Sequence, residues 1–354
     1  MKKINTLSLG LTYAGCFLGA GFVSGQEIWQ FFGAFGVYGV LGLLLTFLLH
    51  FLFGAILIKL IHNTHITEMD KLVVWKNIPW LRALVGTITT FFMFSILVIM
   101  SAGAGALINR MFSIPYPVGC GLFCLLVGLV SLGGVDGMVA ALSRLVPAMI
   151  VGGVLIGIIT VWQNGSQFDF SIQVYGQNAL LHNWVFSAFT YASHNLFCTI
   201  GIIAPIAMQI DKKTVLPGVG AGSIMLLLIA VCVLFGVFAN ISVAHTELPM
   251  LELAYNISSG LGVVYAILLL FGMFGTSLSS LVGVIAYGEQ KSKWFMKHKK
   301  TLVIILAFIG WICSLFGFGD LIGIVYPISG YFGFIAILAV IVHWIISKSK
   351  KLLT

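Results

Sequence analysis

Charge is scarce in this sequence: Asp, Glu, Lys and Arg make up 8% of its 354 residues, where a soluble domain carries about 25%. That scarcity excludes an ordinary water-soluble domain. Nucleotide-binding signatures are missing as well, for no G-x-x-x-x-G-K-[ST] occurs, so no ATPase domain is expected within the chain. There is no H-E-x-x-H, no G-x-S-x-G and no pair of acids inside one apolar run, which argues against an intramembrane enzyme. Cysteine is thinly spread: Cys16, Cys120, Cys124, Cys198, Cys232 and Cys313 are scattered through apolar segments. Cys120 and Cys124 share a helix face but have no nearby His or second Cys pair, so they read as small buried residues and no cofactor is expected.

What is abundant is apolar sequence, 60% of the chain. Tracts of roughly 20 apolar residues recur throughout, the length that a bilayer-spanning helix needs. Ten such spans are predicted, at approximately 7–32, 36–61, 82–110, 115–134, 138–162, 183–210, 214–241, 260–287, 301–319 and 321–347. With the amino terminus inside, 17 of the 18 Lys and Arg fall on the cytoplasmic side and only Arg110 falls outside. The expected protein is therefore a multi-pass protein of the cell membrane with both termini cytoplasmic. This placement turns the net charge of +8 into a topology signal and away from nucleic acid. The opening MKKINTLSLGLTYAG has the charged tip of a signal peptide, yet it continues without a convincing cleavage site and reads as a retained first span.

Residues 163–182 divide the spans into five before and five after. The domain expectation is a first five-helix repeat at 1–162, an extracellular connection at 163–182, and a second repeat at 183–354. An odd number of spans per half makes the halves opposite in orientation. A short helix is expected after Pro249 in the connection following the seventh span, with Glu247 and Glu252 facing water.

Two places interrupt the apolar pattern. GAGFVSGQE, residues 19–27, packs three glycines with Ser24, Gln26 and Glu27 into the first span. TYASHNLFCT, residues 190–199, does something similar at the start of the second half, with Pro205 further on. Lipid offers the backbone no partners, so an unwound stretch persists only where protein or a wet cavity surrounds it. Its free carbonyls then suit a cation, and the new helix amino terminus suits an anion. Matched broken segments in two inverted halves point to a transporter binding site.

Candidate substrate contacts are thus Ala20, Gly21, Phe22, Ser24 and Gly25, facing Tyr191, Ser193, His194, Asn195 and Phe197. Ser24 is a candidate cap for a half-helix beginning near Gln26. The plainer reading of Gly15, Gly19, Gly21 and Gly25 is close helix packing. Glu27 alone among the ten acids lies well within a predicted span. It reads either as a proton carrier or as a hydrated gate or ion-pair partner. His194 is a candidate to bind substrate, titrate or pair with Glu27, or it merely bonds a freed carbonyl. In FGTSLSS, Thr276 and Ser280 share a helix face with Ser277 beside it, a hydroxyl set for a hard cation such as sodium. The plainer reading is that these hydroxyls bond back to their own helix.

With GAGFVSGQEIWQFFGAFG, YASHNLF and the ten-span plan, the chain resembles the YkvI-like bacterial membrane proteins. They look like a compact branch of the amino acid–polyamine–organocation transporter superfamily. That resemblance implies an all-α five-plus-five inverted repeat with helices 1 and 6 broken around the substrate. It also implies a sodium site made by carbonyls near Phe17 and Ala20 with Thr276 and Ser277, or with Ser279 and Ser280 if the register slips. Gln26 and Glu27 stand where sodium symporters of the superfamily often place Asn and Arg. The fifth span has Arg144 but no lysine of the kind some proton-coupled relatives use.

The expected function is secondary transport of a small organic solute, an amino acid or related amine, driven by a sodium or proton gradient. The alternative is a receptor or assembly factor that keeps the fold without transport.

Overall fold

The apolar runs fold as helices, because in the absence of water each backbone N–H and C=O finds its partner within its own segment. The computed structural model of the protein describes residues 4–132, 146–165, 168–171 and 178–352. Arg144 lies outside the described residues.

The first span forms three pieces: α1 (Thr6–Phe17), α2 (Ala20–Val23) and α3 (Gln26–Phe31). There follow α4 (Val37–Thr64), α5 (Met69–Val73), α6 (Pro79–Phe112), α7 (Tyr116–Leu132) and α8 (Val146–Asn164). The second half contains α9 (Trp184–Ile206), α10 (Lys212–Ala239), α11 (Pro249–Ile257), α12 (Ser259–Lys291), α13 (Lys293–Lys297), α14 (Lys299–Ser314) and α15 (Phe318–Leu352). An isolated bridge pairs Ile4 with Ile210.

Among the described residues, six helices are long and apolar enough to cross a membrane, and α7 is a shorter apolar helix. Their outward faces are apolar too. On α4, Leu41, Leu44, Leu48 and Leu52 are exposed, and on α14 Ile304, Ile305, Phe308 and Ile312 are. Stripes of this kind at helical spacing would be unstable in water and match lipid tails. The chain is a multi-pass membrane protein. Trp162, at the end of α8, is 84% exposed, an anchor of the type that sits at headgroup depth.

Helix α1 packs on α10, and α9 packs on α4 and α15. Helix α6 packs on α12, with α7 and α14 beside each other against that pair. Helix α8 lies against α10 and α12, and α15 against α4 and α6. The broken pieces α2 and α3 are enclosed by α6, α8 and α12 on one side and α9, α10 and α15 on the other.

Helix α9 departs from expectation. It runs unbroken from Trp184 to Ile206, so Tyr191, Ser193, His194, Asn195 and Phe197 lie on a regular helix and not in an unwound stretch. The reason is local. Between residues 184 and 200 there is no glycine or proline, and the polar side chains turn back on the backbone. Asn195 Nδ2 donates to the Tyr191 carbonyl at 3.0 Å and Thr199 Oγ1 to the Asn195 carbonyl at 2.8 Å, the i−4 bonding that leaves a helix intact.

Candidate functional site

Helix α1 stops at Phe17. The Gly19 N–H turns back to the Phe17 carbonyl at 2.8 Å, and Gly19 itself is extended at φ −76°, ψ 166°. One helical turn later Gly25 adopts φ +88°, a conformation open to glycine and costly for other residues. Ser24 bridges this second interruption: its hydroxyl donates to the Gly21 carbonyl at 2.8 Å and accepts from Gln26 N–H at 3.4 Å. The carbonyls here are claimed by neighbours. Val23 O accepts from the Tyr265 hydroxyl at 2.6 Å, and Ser24 O from Met250 N–H at 2.9 Å. A Cβ on Gly15 or Gly19 would meet nothing within 4 Å, so close helix packing does not account for these two glycines.

Glu27, on α3, is 3% exposed. Its side chain folds back along the break, and a Cβ on Gly21 would overlap the carboxyl oxygen Oε1. The Tyr191 hydroxyl donates to Oε2 at 3.0 Å, and Tyr326 lies close to the carboxyl. His194 stacks on Tyr326 with ring centroids 4.0 Å apart. Its Nδ1 meets the Ser329 hydroxyl. The Ser329 hydroxyl also lies 2.9 Å from the Tyr326 carbonyl. The site is thus a buried carboxyl ringed by phenols, with an imidazole one step behind.

Of the other expected contacts, Ala20, Phe22 and Ser193 are buried. Phe197 packs edge-on against Phe92 of α6, with centroids 6.3 Å apart. Among the hydroxyls of α12, Thr276 Oγ1 donates to the Gly272 carbonyl at 3.0 Å, which is the plainer of its two readings. Ser277 is different: its hydroxyl is buried without a partner. Ser280 is buried as well. Among the described residues no cluster of three or more metal-ligating side chains occurs.

Arg110 does not reach Glu27. It makes a forked pair with Glu252 of α11, at 2.7 and 3.1 Å, and lies 4.7 Å over the Tyr255 ring. Glu252 therefore does not simply face water. Because Arg110 is about half exposed, Arg110→Ala is expected to lower stability by no more than about 1 kcal/mol. A larger loss in thermal unfolding would mean that α11 depends on this pair.

Beside α3 opens a vestibule of about 750 Å³, lined by Gln26, Trp29, Gln30, Asn178, Glu247 and Asp320 among others, and not by Glu27. Its floor is tied across elements. Gln30 Nε2 donates to the Gly319 carbonyl at 2.8 Å, and Gly319 N–H donates to Glu247 Oε2 at 2.7 Å. Burial pushes the Glu247 carboxyl above the ordinary range, the Gly319 N–H holds it down, and Asp320 raises it again. At the opposite end Ile4 N–H donates to the Gln209 carbonyl at 3.2 Å, and His62 Nε2 meets the Ala207 carbonyl at 2.9 Å.

No protein-family model matches the chain. The uncharacterized protein YyaD of Bacillus subtilis (strain 168) is 24% identical over 352 residues, 96% of this chain and 97% of that one. The uncharacterized membrane protein YkvI of the same organism is 26% identical over 340 residues, 93% of each. The chain resembles the YkvI-like membrane proteins over nearly its whole length. Among solved structures, MhsT in complex with L-phenylalanine matches with a TM-score of 0.63 and 18% identity, covering 98% of this chain and 99% of that one. A mutant manganese transporter of Eremococcus coleocola matches with a TM-score of 0.60 and 14% identity, covering 96% of this chain and 78% of the other. The likeness is one of fold.

Three parts of the site were not singled out from the sequence. Tyr326 and Ser329 flank Pro327 on α15. The third is His50 on α4, fully buried with neither ring nitrogen hydrogen-bonded. It sits against Phe17 at the end of α1, 4.5 Å between centroids, and 6.4 Å from the Tyr191 ring. One signal existed: a lone His in the apolar run LLHFLF. Because His50 makes no hydrogen bond that would be lost, His50→Leu is expected to match or exceed the wild type in thermal stability. A drop of more than about 1 kcal/mol would show a partner for the imidazole.

Proposed function

We propose that the protein is a secondary transporter of a small organic solute, an amino acid or related amine, working by alternating access on a sodium or proton gradient. The observation that carries this reading is Glu27: a carboxyl buried against Gly21 inside an interrupted helix, in a fold shared with membrane transporters. Such interruptions persist in a membrane where they line a binding cavity.

A five-plus-five inverted repeat, 1–162 against 183–354, is supported by the packing. Exchanging each helix for its counterpart in the other half turns α1 on α10 into α9 on α4. It also turns α8 on α10 into α15 on α4, and α8 on α12 into α15 on α6. The short helices follow suit: α5 packs on α6 and α15, and α11 on α12 and α8. The ten-span count with cytoplasmic termini follows from the same reading. It puts the vestibule outside, on the Arg110 side, while the contacts of Ile4 and His62 close the inside. The sodium alternative rests on the partnerless Ser277 hydroxyl.

The test is thermal unfolding of the purified protein against a panel of amino acids, amines and small acids, with and without sodium. A ligand at a hundred times its Kd stabilises by about 2.7 kcal/mol. A shift confined to one chemical class, together with saturable uptake of that class into vesicles, is the expected result. Stabilisation without flux in vesicles would instead leave a receptor.

A further inference from the structure

We propose that a pocket between α4, α10 and α15, at the end of the bundle opposite the vestibule, binds the phosphate headgroup of an anionic phospholipid. This goes beyond the transporter reading and does not depend on it, for it needs only a chain that spans a membrane.

The pocket has a volume of about 390 Å³ and is lined by Lys59 and His62 of α4, Lys212 of α10, and Trp344 and Lys348 of α15, among others. Three helices thus each deliver one ammonium group to a single cavity. Among the described residues no Asp or Glu lines it. The ion pairs among those residues are Lys71 with Glu68, Arg110 with Glu252 and Lys299 with Glu289, so none of the three lysines has an acid partner there. Like charges gathered around one cavity repel, and an anion seated between them replaces that repulsion with attraction. Lys212 is also the first residue of α10, whose amino terminus has no side-chain cap, and a helix start of this kind suits a phosphate. Lys348 Nζ lies 5.5 Å over the Trp344 ring, a contact that restrains its long side chain. An adjoining cavity shares His62 and Lys212 and adds Lys213 and one acid, Asp211.

The surface beside the pocket selects a lipid over a soluble anion. Lys59 is exposed on α4. At 3.6 residues per turn, Leu52 and Leu48 point within about 20° of the same direction, and both are exposed. Leu48 lies about 16 Å along the helix from Lys59, close to half of a hydrocarbon core ~30 Å thick. Leu216, one turn beyond Lys212 on α10, is exposed as well. A phosphate held by the lysines therefore lays its acyl chains on apolar side chains that begin at the same pocket. Basic pockets between membrane helices recognise anionic headgroups in this way. Topology alone also enriches lysine at the inner ends of spans. That bias chooses a side of the membrane, however, and does not gather lysines of three helices around one cavity.

The purified full chain in detergent is titrated with phosphatidylglycerol or with phosphatidylcholine. Binding is read by thermal unfolding and by native mass spectrometry of retained lipid. Phosphatidylglycerol should raise the unfolding temperature and stay bound, and phosphatidylcholine should do neither. In Lys59→Gln/Lys212→Gln/Lys348→Gln the apparent Kd for phosphatidylglycerol should weaken about tenfold or more. Lys59→Arg/Lys212→Arg/Lys348→Arg keeps the charges and should still bind, which separates lost charge from a chain that folds poorly. Lys293→Gln/Lys297→Gln/Lys300→Gln makes the same change in charge at exposed lysines outside the pocket and should bind as the wild type does. Equal weakening in the two Gln variants would reduce the effect to general attraction between a basic protein and an anionic lipid, and would overturn the site. Phosphatidylglycerol binding no more tightly than phosphatidylcholine would overturn it too, as would an Arg variant that folds but binds as weakly as its Gln counterpart. Inorganic phosphate or glycerol 3-phosphate stabilising the protein as strongly as phosphatidylglycerol would reveal a site for soluble anions and sink the lipid assignment.

Discussion

Gly21→Ala is expected to leave a folded protein whose saturable uptake is reduced tenfold or more. The added methyl would occupy the space of the Glu27 carboxyl oxygen, and that carboxyl is held by the Tyr191 hydroxyl on the other side. Overpacking of this kind costs about 1–3 kcal/mol, so a drop in thermal stability should accompany the lost uptake. A double variant separates this cause from a general effect on the broken helix. Removing the acid in Gly21→Ala/Glu27→Ala relieves the overlap, so the double variant should be more stable than the sum of the single changes by about 1 kcal/mol or more. Strict additivity would mean that Glu27 does not rest on Gly21. Gly21→Leu, being larger, should be worse than Gly21→Ala in both measurements.

Gly25→Val should be the more damaging change to the fold. The left-handed φ of +88° costs an L-residue about 1–2 kcal/mol, and a β-branched side chain more. A Cβ there would also come within 3.0 Å of Met250 Cγ, next to the bond from Met250 N–H to the Ser24 carbonyl. The expected outcome is a fall in thermal stability well beyond that of Gly25→Ala, with the joint between α3 and α11 loosened. Equal stabilities for Val and Ala at this position would show that α3 can restart without the left-handed residue.

The break in the first span was legible because glycine carries its conformational meaning locally: GAGFVSGQE places both interruptions of α1, α2 and α3 within a few residues. In YASHNLF the polar residues gave the opposite lesson. Tyr191, His194 and Asn195 mark a helix face turned toward other buried polar groups, not an unwound backbone, since polar side chains alone free no carbonyl. Glu27 was visible as a lone acid in an apolar run. Tyr191 stood among the candidate contacts facing the break, but its bond to Glu27 and the nearness of Tyr326 were not legible, because both come from helices distant in sequence. The pairing of Arg110 with Glu252 joins residues of different halves, and nothing in either local stretch announces it. His50 stood out only as one imidazole in a run of leucine and phenylalanine, a pattern that a packed core produces as well.

The solitary carboxyl of Glu27 has an electrical consequence. One acid with no charged neighbour paired to it among the described residues holds a single negative charge. With a proton bound the carboxyl carries no charge, and membrane voltage does no work on it. Ionised, it carries one charge, on which a full 100 mV is worth about 2.3 kcal/mol.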